Sequence, residues 1–193
     1  MYCSQIQPEG YFMYFVFREV VKSWHNQIIR AIAQAEFPDT QPHWWAVKPI
    51  NPKLSTNVFA INSKAPIVDV YFTGSIFHPY SKKVLNLLRS VGIQFETFPA
   101  IMIDRKTQQP LPLEYEVFHL LEMYPAFDMT LTEEGTGYIR NLTLTEECLN
   151  SKKLMFRVEE AADLVLMHQD LKDLLDANNI TGCLYTPVDQ FSV

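Results

Sequence analysis

Glycine is scarce in this chain, six residues in 193, and cysteine scarcer still, at three. So few glycines exclude a collagen repeat and leave little backbone for cradling phosphate; no G-x-G-x-x-G, no G-x-S-x-G elbow and no phosphate-binding glycine loop occurs. Cys3, Cys148 and Cys183 are odd in number and far apart, which excludes a disulfide-stapled miniprotein; a chain of this length buries enough core to need no staple. Long apolar runs are missing too. The richest N-terminal stretch, residues 11–17, is too short to span a bilayer and lacks the positive leader and small-residue cleavage site of a signal peptide. The reading is a mature chain starting at Met1 in the cytoplasm, where the sequon-like Asn141-Leu142-Thr143 has no use.

What is present is 48% hydrophobic residues and a net charge of −6 that is unevenly spread. Residues 1–96 hold 9 Lys+Arg against 6 Asp+Glu, and residues 97–193 hold 7 against 16, giving +3 and −9. An acidic half repels phosphates and anionic membranes, which argues against nucleic acid or a membrane as ligand, and it attracts a basic protein from a distance. Solvated helix faces produce the same composition with no partner at all.

Catalytic chemistry finds little footing. The histidines, His25, His43, His78, His119 and His168, show neither metal-ligand spacing nor a Cys-x-x-Cys neighbour, so no metal and no cofactor are expected. A nucleophile would require Cys148 or Cys183 to meet His119 or His168 in the fold, and Cys183 lies in an apolar segment that suits a buried thiol. Glu133-Glu134 and Glu146-Glu147 are adjacent pairs whose members point in different directions on a helix or strand, so they read as surface charge and no catalytic residue is assigned. Trp44, Trp45 and Tyr80 lie near prolines, where large aromatics either anchor a partner or pack a loop onto the core.

The hydrophobic pattern predicts one domain of α+β class, a mixed sheet with packed helices, over residues 1–193. Residues 1–62 read as a strand at 11–17, a helix from Glu19 on the spacing of Val20, Val21, Trp24, Ile28, Ile32 and Ala35, and a connection broken by Pro38, Pro42, Pro49 and Pro52. In residues 63–193 strands are expected at 67–72, 94–102, 113–121 and 138–144, with the loop 104–112 joining two of them, and a helix at 81–90. Further strands are expected at 154–158, 163–167 and 183–188, a short acidic helical turn at Glu146 and Glu147, and a helix at 169–178 that His168 begins or caps. Glu114 and Glu116 alternate with Leu113, Tyr115 and Val117 and so share a solvent face. Residues 84–93 can be laid on residues 171–180 at an offset of 87 (171 − 84), with Val84, Leu87, Leu88 and Ile93 matching Leu171, Leu174, Leu175 and Ile180. Each copy reads as helix, tight turn and strand, with Gly92 and Asn179 as the residues tolerant of positive φ.

The second copy also carries a resemblance. Lys153-Leu154-Met155-Phe156-Arg157-Val158, continuing through residues 163–175 to Ile180-Thr181-Gly182-Cys183-Leu184-Tyr185-Thr186-Pro187-Val188, resembles the C-terminal signature of a bacterial immunity-protein family of polymorphic-toxin systems, the myxobacterial-type group first described as a domain of unknown function. Residues 81–99 and 115–128 are similar to it as well, so the likeness covers roughly residues 65–190 within the region 63–193. Met167-His168 stands where that family usually has a serine before the last helix. The resemblance implies a cytoplasmic protein that binds and neutralises a cognate toxin and is not an enzyme, with no catalytic set of its own. The expected contributors are Glu133, Glu134, Glu146 and Glu147 for electrostatic steering and Trp44 and Trp45 as aromatic anchors. The alternatives are a small hydrolase-like enzyme with a Cys/His or carboxylate site, and a scaffold subunit with a permanent apolar interface.

Overall fold

A computed structural model of the chain describes residues 13–19, 23–24, 27–28, 32–33, 47–49, 57–71, 73, 78–128, 133–135, 138–140 and 142–191. The chain opens with strand β1 (Tyr14–Glu19), followed by the short strands β2 (Ser23–Trp24), β3 (Gln27–Ile28) and β4 (Ile32–Ala33), and then β5 (Asn57–Ile61). Next come β6 (His78–Ser81), helix α1 (Lys82–Ser90), β7 (Phe95–Asp104), β8 (Tyr115–Leu120) and β9 (Met123–Tyr124). The hairpin β10 (Glu133–Gly135) and β11 (Tyr138–Arg140) leads to the short helix α2 (Glu146–Ser151). Strands β12 (Met155–Val158) and β13 (Val165–His168), helix α3 (Gln169–Ala177), strand β14 (Cys183–Pro187) and a 3₁₀ turn complete the order. The α+β class expected from the sequence is what forms: two five-stranded mixed sheets in the orders β14-β1-β13-β12-β9 and β4-β5-β7-β8-β6. Among the described residues no helix is long and apolar enough to cross a membrane.

The internal repeat is architectural. In one sheet β6 and β7 both pair antiparallel with β8, which lies between them, and α1 makes the crossover. In the other sheet β13 and β14 both pair antiparallel with β1, and α3 makes the crossover. The two strand-helix-strand units keep the same offset of 87 at their N-caps, Ser81 and His168, and at the positive-φ residues that stop the helices, Gly92 and Asn179. Their exits match bond for bond. Ile93 N donates to Leu88 O and Gly92 N to Arg89 O, while Ile180 N donates to Leu175 O and Asn179 N to Asp176 O. Both helices bury one face in a single apolar cluster: Val84, Leu85 and Leu88 from α1 and Leu171 and Leu175 from α3 meet Phe17, Met155 and Met167 of one sheet and Tyr80, Phe118 and Leu120 of the other. The opposite sheet faces carry their own clusters, one around Phe59, Phe98 and Val117 and one around Tyr14, Phe156, Leu166 and Cys148. Strands covered on both faces explain why residues 14–17 read as a continuous apolar run.

A buried carboxylate joins the two units. Asp69 accepts from Ser81 Oγ at 2.8 Å through Oδ1, and from Thr181 N and Thr181 Oγ1, both at 3.0 Å, through Oδ2. Ser81 caps α1, accepting from Val84 N, and Thr181 follows the exit turn of α3, so one side chain ties the start of one helix to the end of the other. The backbone reinforces the join: Asp69 N and Val70 N both donate to Thr181 O, and Ser81 N donates to Asp69 O. Gly182 belongs to the same contact. A Cβ there would stand 2.2 Å from Val70 O, and its φ is +90°, so glycine alone fits.

Three expectations are corrected. The helix from Glu19 does not form at the described residues, which are strands β2, β3 and β4; the apolar positions at helical spacing are mostly β-branched or aromatic, and Ile32 and Ala33 pair with Ala60 and Phe59 of β5. Residues 67–71 make only an isolated bridge, Val70 to Tyr80, because their backbone is spent on Thr181 and on tyrosine hydroxyls: Tyr71 Oη accepts from Val68 N, and Tyr115 Oη donates to Val68 O. Glu116 does not face open solvent, since α1 lies over it and Arg89 Nη2 stands 3.7 Å from its Oε2. The prolines of the connection lie outside the described residues apart from Pro49. Replacing Asp69 by alanine would strand buried donors on two elements, and the expected cost is about 3 kcal/mol in urea unfolding, with Asp69→Asn losing less because it keeps one acceptor.

Candidate functional site

Cys148, His168 and His119 are packed into the fold. The Cys148 thiol is fully buried beside Tyr14 and Phe156 in the cluster under α2, and burial, aided by Glu160, pushes its pKa up to about 12, so it is not a thiolate near neutrality. His168 is buried at the start of α3, where Nδ1 accepts from Asp170 N at 3.1 Å, and its ring packs edge-on against Tyr14 at 5.2 Å. This is the capping role expected from its position, performed by an imidazole in place of the usual hydroxyl or carboxylate. Burial lowers its pKa, with Asp170 opposing the shift, so the ring is held neutral. His119 sits in the other sheet, fully buried, with Nδ1 2.8 Å from Glu96 Oε1 across the β7–β8 register. It lies in a different sheet from β13 and from the cluster that holds Cys148. Among the described residues no group of three His, Cys, Asp or Glu could hold a metal ion.

The residues expected to meet a partner fare differently from one another. Glu146 and Glu147 are both exposed in the first turn of α2, after the N-cap Thr145, where negative charge also favours the helix; Glu147 accepts from Tyr124 Oη at 3.1 Å. Glu133 and Glu134 lie on β10, in register with Arg140 and Ile139. Trp44 and Trp45 lie outside the described residues. Tyr80 is no surface anchor. It is buried and stacks on Phe118 at 4.5 Å with the rings within 5° of parallel, inside the cluster that holds both helices.

Among the described residues an open groove of about 600 Å³ is lined by residues 97–102 of β7, residues 110–116 with the exception of Pro112, and Lys82. It forms because β7 changes partner. Its first half pairs with β8 through Ala100 and Tyr115, whereas beyond that Met102 O accepts from Leu111 N and Ile103 bridges Pro110. The intervening chain swings away from the sheet and is tethered to α1 by Lys82 N, which donates to Glu114 O. Five large apolar side chains are exposed among the described residues, and two of them, Ile101 at 44% and Leu113 at 42%, line this groove. Its charged lining is Lys82, Glu114 and Glu116. Lys82 and Glu114 form an ion pair in which each favours the charged form of the other, raising the lysine and lowering the glutamate pKa.

Sequence reasoning missed this groove, although a signal existed: Leu111 and Leu113 alternate with Pro110 and Pro112 in a stretch that no core cluster claims in full. It also missed Asp69, whose signal was a carboxylate in the middle of the apolar run Ile67-Val68-Asp69-Val70-Tyr71.

Two measurements check these assignments. With a folded-state pKa depressed below 6.5, His168 contributes its full stability above that value and loses it as pH falls through 6.5 towards the folded pKa. The unfolding free energy should therefore decline below about pH 6.5, and His168→Asn, which keeps a capping acceptor but does not titrate, should shrink that decline. In a background of Cys3→Ser and Cys183→Ser, Cys148 should resist an aromatic disulfide reagent at pH 8 until the protein is unfolded in urea. Rapid labelling of the native protein would contradict the buried thiol.

In comparisons with known proteins, no protein-family model and no curated protein matches the chain.

Proposed function

We propose that this protein works by occupying another polypeptide's surface, as a cytoplasmic immunity protein that binds and neutralises a cognate bacterial toxin. The observation that carries the reading is the charge asymmetry: the acidic residues concentrate in 97–193, and Glu146 and Glu147 stand exposed together on α2. A surface of that sign speeds encounter with a basic partner and selects against acidic ones, which is the demand on an inhibitor that must reach a toxin before the toxin reaches its target. The fate of the titratable groups is consistent with binding. The thiol of Cys148 and the imidazole of His168 are committed to packing and capping, and His119 and Glu96 to each other. The likeness of residues 153–188 to the immunity-protein signature supplies the choice of toxin over other basic proteins.

The test is co-expression with the product of the adjacent reading frame, scored by growth and by co-purification. Glu146→Lys combined with Glu147→Lys is expected to slow association by roughly tenfold at low salt and to flatten its salt dependence. The thermal midpoint of the variant separates lost steering from a weakened helix. Protection and association that are indifferent to this reversal and to salt would refute the electrostatic account.

A further inference from the structure

We infer that this chain pairs with a second copy of itself, the basic solvent face of α1 in one copy lying antiparallel against the acidic solvent face of α3 in the other. The inference goes beyond the toxin-binding reading and does not depend on it. Its basis is the internal repeat. At the offset of 87 that relates the two units, Lys83, Asn86 and Arg89 of α1 correspond to Asp170, Asp173 and Asp176 of α3, and all six are exposed. The repeat keeps the apolar faces alike, because both enter one core, and makes the solvent faces opposite in sign. Helix α1 carries three cations and no carboxylate, whereas α3 carries three carboxylates and one cation. Leu87 and Leu174, matched at the same offset and half-buried, add a narrow apolar margin beside the two rows.

Some of these charges are satisfied inside the chain: Lys82 pairs with Glu114, Lys172 with Asp176, and Arg89 stands 3.7 Å from Glu116 while staying half-exposed. Three are not. Among the described residues Lys83, Asp170 and Asp173 have no charged partner, since the imidazole beside Asp170 is neutral and Asp173 accepts only from the Gln169 amide. Helix dipoles supply the orientation. Lys83 lies in the first turn of α1 and Asp176 in the last turn of α3, each at the end where its own helix disfavours its charge. Laid antiparallel, each comes beside the end of the other helix that attracts it, with Lys83 against Asp176, Asn86 against Asp173 and Arg89 against Asp170. Asn86 suits its place: its Oδ1 accepts from Arg89 Nη1 at 3.1 Å, which leaves its amide nitrogen to donate to a carboxylate. A foreign basic protein would satisfy α3 and leave the cations of α1 unexplained, whereas a second copy satisfies both faces at once.

Sedimentation of the full chain is the test. At low salt the weight-average mass should rise with protein concentration, and the association should weaken by roughly tenfold in about 0.5 M salt. Lys83→Glu places an acidic residue in the first turn of α1, which favours the helix, so a lost association in this variant is not a lost fold. Asp173→Lys puts a better helix former at an exposed position of α3. Each variant alone should associate at least roughly tenfold more weakly than the parent. Mixing the two should restore association, because the reversed α1 of one then meets the reversed α3 of the other. A parent chain that stays monomeric at low salt and millimolar concentration, variants that associate like the parent, or a mixture no heavier than its components would each overturn the inference. None of these measurements involves a toxin, so their failure leaves the neutralising role standing.

Discussion

Two helices that never follow one another in sequence depend on one carboxylate. Asp69 is 7% exposed, and such a group is costly to bury unless its oxygens are occupied. Here each oxygen is occupied by a donor from a different unit: the cap of α1 on one side, the exit of α3 on the other. The consequence is geometric. Ser81 can donate to Asp69 and accept from Val84 only if α1 starts where it does, and Thr181 can offer both its amide and its hydroxyl only if α3 ends where it does. Fixing those two ends sets the separation at which Val84, Leu85 and Leu88 and Leu171 and Leu175 share one apolar cluster. Gly182 guards the same contact by steric exclusion, since any larger residue would collide with Val70 O.

The two units solve one folding problem with different side chains. Each needs an N-cap, a stop and an apolar face, and each has them at the same offset. The caps, however, are a serine in one and a histidine in the other, and the stops are a glycine and an asparagine. Ser81 can serve as cap and as donor to Asp69 because a hydroxyl both donates and accepts. His168 caps with Nδ1 and buries its ring against Tyr14, so its cap is itself a titratable group, whereas the serine hydroxyl is not. The third strand also differs in origin. Strand β8 comes after its unit in sequence, whereas β1 comes long before its own, so the second unit is complete only when the N-terminal strand threads between β13 and β14.

Local signals carried most of this. Helices α1 and α3, the cap of α3 and both stops were legible because amphipathic spacing and a turn residue agree at each, and strands β7, β8, β12, β13 and β14 were legible from their short apolar or alternating runs. The errors share a physical cause. Val20, Val21, Trp24, Ile28 and Ile32 match a helical period, yet β-branched and aromatic residues follow whatever strand partner the tertiary fold offers, and β5 offers one to Ile32. Residues 67–71 look like a strand in every local respect. Distant residues divert much of their hydrogen bonding, Thr181 at 112 positions from Asp69 and Tyr115 at 47 from Val68, and no short window of sequence contains these pairs.

The candidate site was less legible than the fold for a related reason. A glutamate in a sequence declares its charge but not its neighbours: Glu114 and Glu116 share a face as their alternation suggests, yet one is spent on Lys82 and the other is half-covered by α1 and lies beside Arg89. The groove itself is a property of pairing and not of composition. It exists because β7 is longer than β8 and must borrow residues 109–111 to satisfy its far end, which forces residues 112–114 out of the sheet and leaves Ile101 without cover. Pro112 helps to fix that exit, since it has no amide hydrogen to offer a neighbouring strand. An apolar surface exposed by such a mismatch costs solubility and contributes nothing to the stability of the isolated chain.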